Sequence, residues 1–268
     1  MRTVPDATKP FPVLLQRDAF GPRLVARAGD VWRAMQDVVV DQSSSVGWTP
    51  ERYVEEGTMF VVRTMTVRHE REVRIGEGLV GRTWPSRARR DMLFTRQVRL
   101  FHGDELVAAA TQEWAYLKRT LEPTRAGKAI YDAFTVHEGY PEVALPDETP
   151  RPDAAAHHFF DFVTWHGWMD PHGHVNHAAY VDYCDEGVAR VLAQAGHDPQ
   201  QLVPVAEAVH FRAAIGPAQH VTVETKRTGH AGAAGVFAHR IFVDGKVCAT
   251  ATTVRRLAGR DDAGWLPA

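Results

Sequence analysis

The chain has 268 residues, 44% of them hydrophobic and 24% charged, with a formal net charge of −2 at pH 7. That is ordinary soluble-globular composition, enough for one large domain or two small ones, and it carries no general attraction to nucleic acid or an anionic membrane. No window approaches the ~20 apolar residues of a membrane span, and the start, MRTVPDATKP, lacks the apolar core of a signal peptide, so the cytoplasm is the expected compartment.

In chain order, apolar spacing predicts a helix from Asp30, stopped at Gly47 and Pro50, then strands TMFVVRTMTV, LVGRTW, MLFTRQVRLF and LVAAATQEWAYL. Gly103-Asp104 marks a hairpin between the last two. Residues 122 to 156 carry Pro123, Pro141, Pro146, Pro150 and Pro152, with a short helical piece near Ala126 to Phe134, and read as a linker. A strand, HFFDFVTW, and a turn, DPHGHVNHAAY, open the second half. Tyr180, Tyr183, Cys184, Gly187, Val188, Val191 and Leu192 then recur at helical spacing until Gly196. Strands VTVETKR, GVFAHRIFV and KVCATATTVRR follow, the last two joined at Asp244-Gly245. The two cysteines, Cys184 and Cys248, lie in apolar patterns without C-x-x-C spacing and read as buried free thiols.

The two halves share this order of punctuation. Gly47 and Pro50 stand 149 residues before Gly196 and Pro199, and Ile75-Gly76 stands 140 before Ile215-Gly216. Arg99, Phe101, Ala108, Ala110 and Thr111 align with Arg240, Phe242, Ala249, Ala251 and Thr252 at a constant offset of 141. Each half therefore predicts one long helix covering one face of a mostly antiparallel sheet.

Asp170 to Tyr180 sets an acid, a turn, three histidines and an asparagine on the expected first turn of the second helix. Unpaired backbone N–H groups there carry partial positive charge and can hold a carbonyl oxygen as it becomes an oxyanion. A carbonyl substrate is the expectation.

A strand, a DPxGHVN-type turn and a helix wrapped by an antiparallel sheet, all duplicated, resemble the hotdog thioesterases, relatives of the 4-hydroxybenzoyl-CoA thioesterase type. TMTV, GRTWP, ARRDMLFTRQVRL and ATQEW resemble the amino-terminal hotdog of acyl-ACP thioesterases, and DPHGHVNHAAY resembles their carboxy-terminal active-site segment. The resemblance covers roughly residues 11 to 257 and implies an α+β tandem hotdog, two antiparallel sheets each wrapping one long helix and paired as a pseudo-dimer. It implies an N-terminal hotdog at 1–121 with a degenerate site, a linker at 122–156, and a C-terminal hotdog at 157–268 carrying the active site. A monomer would then bury what single-hotdog proteins bury by dimerising, with further homodimerisation open.

The implied activity is hydrolysis of a thioester joining an acyl group to acyl carrier protein or coenzyme A, with no cofactor and no metal. Backbone N–H groups around Gly173 to Val175 would polarise the carbonyl. Asp170 would act as general base toward water or attack directly to form a mixed anhydride. His174 would relay a proton or hydrogen-bond the thioester, and Asn176 would fix water or the acyl carbonyl, or else cap the helix. Tyr180 would shape the pocket. His172 and His177 stand on the substrate side where the family carries asparagines, and no cysteine occupies the region Val209 to Ile215 where the family's Glu-Cys pair would fall. The mechanism therefore rests on Asp170.

Other readings stay open. His172, His174 and His177 fit a crude metal pattern with no evident acidic or cysteine partner. Arg82, Arg87, Arg89 and Arg90 offer either a solvated strand edge or a surface for an acidic carrier or coenzyme A phosphates. No DPxGH turn precedes the first helix. A hotdog hydratase or dehydratase, or a non-catalytic acyl-thioester binder, are the alternatives to hydrolysis.

Overall fold

A computed structural model describes residues 3–151 and 156–265; the predicted Pro152 end of the linker lies outside them. The chain divides into two compact units, one holding residues up to Arg17 together with Val31–Ala144, the other Asp18–Asp30 together with Leu145 onward.

Helix α1 (Ala28–Ser45), which lies in the first unit from Val31 onward, buries Val31, Trp32, Met35 and Val38, an i, i+1, i+4, i+7 stripe. Strands β1 (Phe11–Val13), β2 (Thr58–His69), β3 (Leu79–Arg89), β4 (Leu93–His102) and β5 (Glu105–Lys118) form an antiparallel sheet in the order β1-β3-β4-β5-β2. α1 presses on this sheet at Gly81, where an added Cβ would lie 2.1 Å from Val38 Cγ2. Only a residue without a side chain admits that approach. Helix α2 (Pro50–Glu55) is capped by Thr49, whose hydroxyl accepts from the Arg52 N–H at 3.3 Å.

The predicted linker is structured along much of its length. Helix α3 (Lys128–Ala133) and its flanks bury Ala126, Ile130 and Phe134 against Trp48, Phe94 and Tyr116, and Val143 packs on Leu106 and Ala109. Each such buried aliphatic or aromatic side chain contributes about 1.5–3 kcal/mol, so this segment belongs energetically to the first unit.

In the second unit, strands β8 (Leu202–Phe211), β9 (His220–Ala231), β10 (Ala234–Val243) and β11 (Lys246–Leu257) run antiparallel in the order β8-β11-β10-β9. β6 (Thr149–Pro150) and β7 (His158–Val163) both pair with β9. Asp244 and Gly245 have φ of 49° and 73°, the paired positive values of a type I′ hairpin turn. Strand β8 is absent from the strands predicted above, because Ala206, Ala208, Pro204 and a buried Glu207 hide its periodicity. Helix α4 (Ala179–Gln194) meets the sheet at Gly187, where a Cβ would lie 2.2 Å from Thr225 Oγ1.

The two helices end alike. Gly47 (φ 81°) and Gly196 (φ 79°) take the left-handed conformation, and the next N–H reaches back five residues, Trp48 to Ser43 O and His197 to Leu192 O, both at 3.0 Å. Each half thus has the hotdog arrangement of one long helix against an antiparallel sheet, as the repeat predicts.

Candidate active site

The DPHGHVN segment forms a closed turn. Met169 and Val175 pair as an isolated bridge, the Asp170 N–H donates to His174 O at 2.7 Å, and the Gly173 N–H donates to Asp170 O at 2.9 Å. Gly173 has φ of 76°, the left-handed value the turn requires. Inside it the Asp170 carboxylate accepts through Oδ1 from the N–H of His172 (2.8 Å) and of His174 (3.3 Å). Its other oxygen, Oδ2, makes no hydrogen bond to the protein among the described residues. Asp170 is therefore a turn-holding acid with one oxygen still available.

This geometry corrects two expectations. α4 begins at Ala179, so Asp170 to His174 precede the helix instead of occupying its first turn. The N–H groups expected to polarise a carbonyl are also already bonded: Gly173 to Asp170 O, His174 to Asp170 Oδ1, and Val175 to Ile215 O at 2.8 Å. Ile215 lies forty residues onward, a partner that local spacing does not reveal.

Asn176 holds the start of the helix. Its Oδ1 accepts from the Ala178 N–H at 3.0 Å while its own N–H donates to Trp168 O at 2.9 Å. Tyr180 is buried, edge-on to Phe211 with ring centroids 5.1 Å apart. Burial first, then the neighbouring Cys248 and Asp170, push its phenol above the ordinary tyrosine range, so it stays neutral and bounds the site. His177 meets Phe211 edge-on at 6.1 Å. The His174 ring is half-buried and makes no hydrogen bond to protein among the described residues, and His172 is exposed.

The segment leading into α1 lacks the DPxGH sequence, yet its backbone repeats the turn. A 3₁₀ turn at Arg17–Ala19 and a bridge between Phe20 and Ala26 stand 149 residues before the 3₁₀ turn at His166–Trp168 and the bridge between Met169 and Val175. The Gly21 N–H donates to Val25 O at 3.0 Å and the Leu24 N–H to Gly21 O at 2.9 Å, the same two bonds. Gly21, Val25 and Arg27 occupy the positions of Asp170, His174 and Asn176. The backbone is duplicated and the chemistry is not.

Residues 164–261, which include the whole Asp170 to Tyr180 segment, match the Thioesterase-like superfamily, and residues 43–109 match the Thioesterase superfamily. The chain belongs to the thioesterase superfamily. Its activity class is thioester hydrolysis. Comparison with curated proteins finds no match. Among solved structures, one from Lactobacillus plantarum, provisionally described as an oleoyl thioesterase, superposes with a TM-score of 0.81 at 17% identity, covering 95% of this chain and 98% of that one. An acyl-ACP thioesterase from Bacteroides thetaiotaomicron gives 0.75 at 12%, covering 93% and 98%, and the 12:0-ACP thioesterase of Umbellularia californica gives 0.73 at 16%, covering 95% and 99%. At these identities the likeness establishes the tandem hotdog fold.

Other expected groups of this thioesterase take structural places. Cys184 and Cys248 are buried free thiols, and burial pushes both above the ordinary thiol range, as befits unreactive core residues. Among the described residues no trio of His, Cys, Asp or Glu is placed to hold a metal ion, and no helix is long and apolar enough to cross a membrane. Of the basic run, Arg87 pairs with Glu142, Arg89 with Glu113, and Arg82 donates to Thr8 O at 3.0 Å. Much of that charge is spent within the first unit.

Proposed function

We propose that the chain hydrolyses an acyl thioester of acyl carrier protein or coenzyme A, releasing a carboxylic acid and a thiol, with Asp170 as general base. The observation that carries this reading is the divided use of the Asp170 carboxylate: Oδ1 is fixed by two N–H groups and Oδ2 is left to take a proton from water. Water adds to the thioester carbonyl carbon as its proton passes to Oδ2, and the collapsing tetrahedral intermediate breaks the C–S bond. The proton then moves to the departing sulfur. Because the turn's own N–H groups are occupied, the carbonyl oxygen is assigned to the His174 imidazole, aided by the field of the sixteen-residue helix α4. The acyl carrier protein and oleoyl or 12:0 names of structures with the same fold support placing aliphatic acyl-ACP substrates first in any search.

The test measures thiol release from aliphatic and aryl thioesters of both carriers, with wild type and Asp170→Asn. Asparagine keeps an oxygen to accept from His172 and His174, so the turn survives while the base is lost. A rate lowered at least about tenfold, roughly 1.4 kcal/mol in barrier, supports the assignment. An unchanged rate rejects it. Interconversion of enoyl and hydroxyacyl thioesters without thiol release would instead support the hydratase reading, and tight binding with no turnover the binder.

A further inference from the structure

The first unit buries a guanidinium that no carboxylate neutralises. Arg96 is 8% exposed, and its two hydrogen bonds both leave Nη1, to Gln42 Oε1 at 2.8 Å and to Thr83 Oγ1 at 3.3 Å. Its planar head lies over the Phe134 ring, 5.4 Å from the centroid. Nε and Nη2 donate to no protein acceptor among the described residues. Gln112, opposite Arg96 in the β4–β5 register, is occupied with Met65 Sδ and the Trp114 indole N–H. Burial pulls the Arg96 guanidinium down to about 10, still charged at neutral pH.

A buried charge without a counter-charge costs several kcal/mol, and the fold does not require one at this position. The equivalent residue 141 positions onward is Phe237, 0% exposed, opposite Thr253 as Arg96 is opposite Gln112. The second unit neutralises its own buried arginine, Arg255, with two acids. Arg255 is held by Asp185 at 2.7 Å and Glu207 at 2.5 Å. Arg96, 8% exposed against 1% for Arg255, is buried without such anions.

We infer that the first unit contains a ligand site in which Arg96 receives the carboxylate of an organic acid with an apolar body. The fork of Nε and Nη2 matches a carboxylate bidentately, and the apolar surroundings, Phe134 under the guanidinium and Trp114 and Met65 around Gln112, suit an alkyl or aryl tail. Pairing removes the cost of the isolated charge at the moment of binding. The site uses residues of the first unit alone and stands whether or not Asp170 proves to be the base.

Binding is measured by calorimetry and by ligand-induced change in melting temperature, with decanoate and benzoate as probes and decanol and benzyl alcohol as uncharged controls. Wild type is expected to bind a carboxylate at least about tenfold more tightly than its alcohol, the scale of a charge-assisted pair. Arg96→Met should lose that preference while melting at the wild-type temperature or above, since an apolar residue removes the buried charge. Arg96→Lys, which keeps the charge and loses the fork, covers the case in which the methionine variant does not fold, and should bind carboxylate more weakly than wild type. Failure of wild type to bind either acid, equal binding of acid and alcohol, or carboxylate affinity within about threefold of wild type in whichever variant folds would overturn the site.

Discussion

The two turns that lead into the long helices share a backbone and differ in chemistry. Both close with the same bridge and the same pair of hydrogen bonds, and both place a left-handed residue fourth, Leu24 at φ 59° and Gly173 at φ 76°. One carries Gly, Val and Arg where the other carries Asp170, His174 and Asn176. The loop therefore needs neither the acid nor the imidazole to hold its shape. What distinguishes the second copy is a set of side chains laid over a turn that forms without them.

The hardest test of that distinction transplants the first copy's residue into the second. Asp170→Gly gives the turn the residue that Gly21 already supplies, so its melting temperature should fall little; the lost Asp170 Oδ1 bonds to His172 and His174 are worth about 0.5–1.5 kcal/mol each at most. Thioester turnover should fall by about 10²–10⁴, the usual contribution of a positioned base. Activity and stability measured on one preparation decide it. A large drop in melting temperature would mean that the carboxylate builds the turn, and the likeness of the two copies would be superficial.

The contrast continues into the sheets. Where the first unit has Val98, the second has His239, each opposite an alanine, Ala110 or Ala251. His239 is buried between the hydroxyls of Thr225 and Thr253, 2.9 Å from each. Burial, with the Arg255 charge nearby, lowers it from an ordinary 6.5 to about 3. The unfolded chain therefore binds a proton between those two values that the native protein refuses, so this residue's contribution to stability is present above pH 6.5 and is lost as pH falls toward 3. Urea midpoints from pH 7 to pH 4 should fall by the equivalent of a few kcal/mol more steeply in wild type than in His239→Gln, which keeps a donor and an acceptor for the two threonines. Parallel curves would show that His239 is not the second unit's acid-labile point.

Much of the fold is legible in the sequence because its signals are local. Alternating β-branched residues, the Asp244-Gly245 hairpin and the glycines after both helices each act within a few residues of themselves. β8 is hidden because small residues and a buried glutamate break its pattern, and the first turn is hidden because Leu24 occupies a position where glycine would announce the turn. At the site, Asp170 and His174 are legible from residue type and spacing. The fate of the backbone donors is not, since Val175 gives its N–H to Ile215, and Arg96 gives no sign in sequence that its guanidinium is buried without an acid.

The smallest expected effect also bears on the paired turns, and its sign is the informative part. A non-glycine residue in the left-handed region costs about 1–2 kcal/mol, and Leu24 is 58% exposed, so little packing offsets that cost. Leu24→Gly makes the first turn resemble the second at this position. Relief of the strain is opposed by the greater freedom of glycine in the unfolded chain, about 0.5–1 kcal/mol. The balance is a gain of roughly 0.5–1 kcal/mol, or about 1–4 °C in melting temperature for a chain of this size. Gly173→Ala should move the other way, because the turn needs φ of 76° there too. If Leu24→Gly lowered the melting temperature, the exposed leucine would be making a stabilising contact in the folded protein, and the first turn would have been kept for something besides its shape.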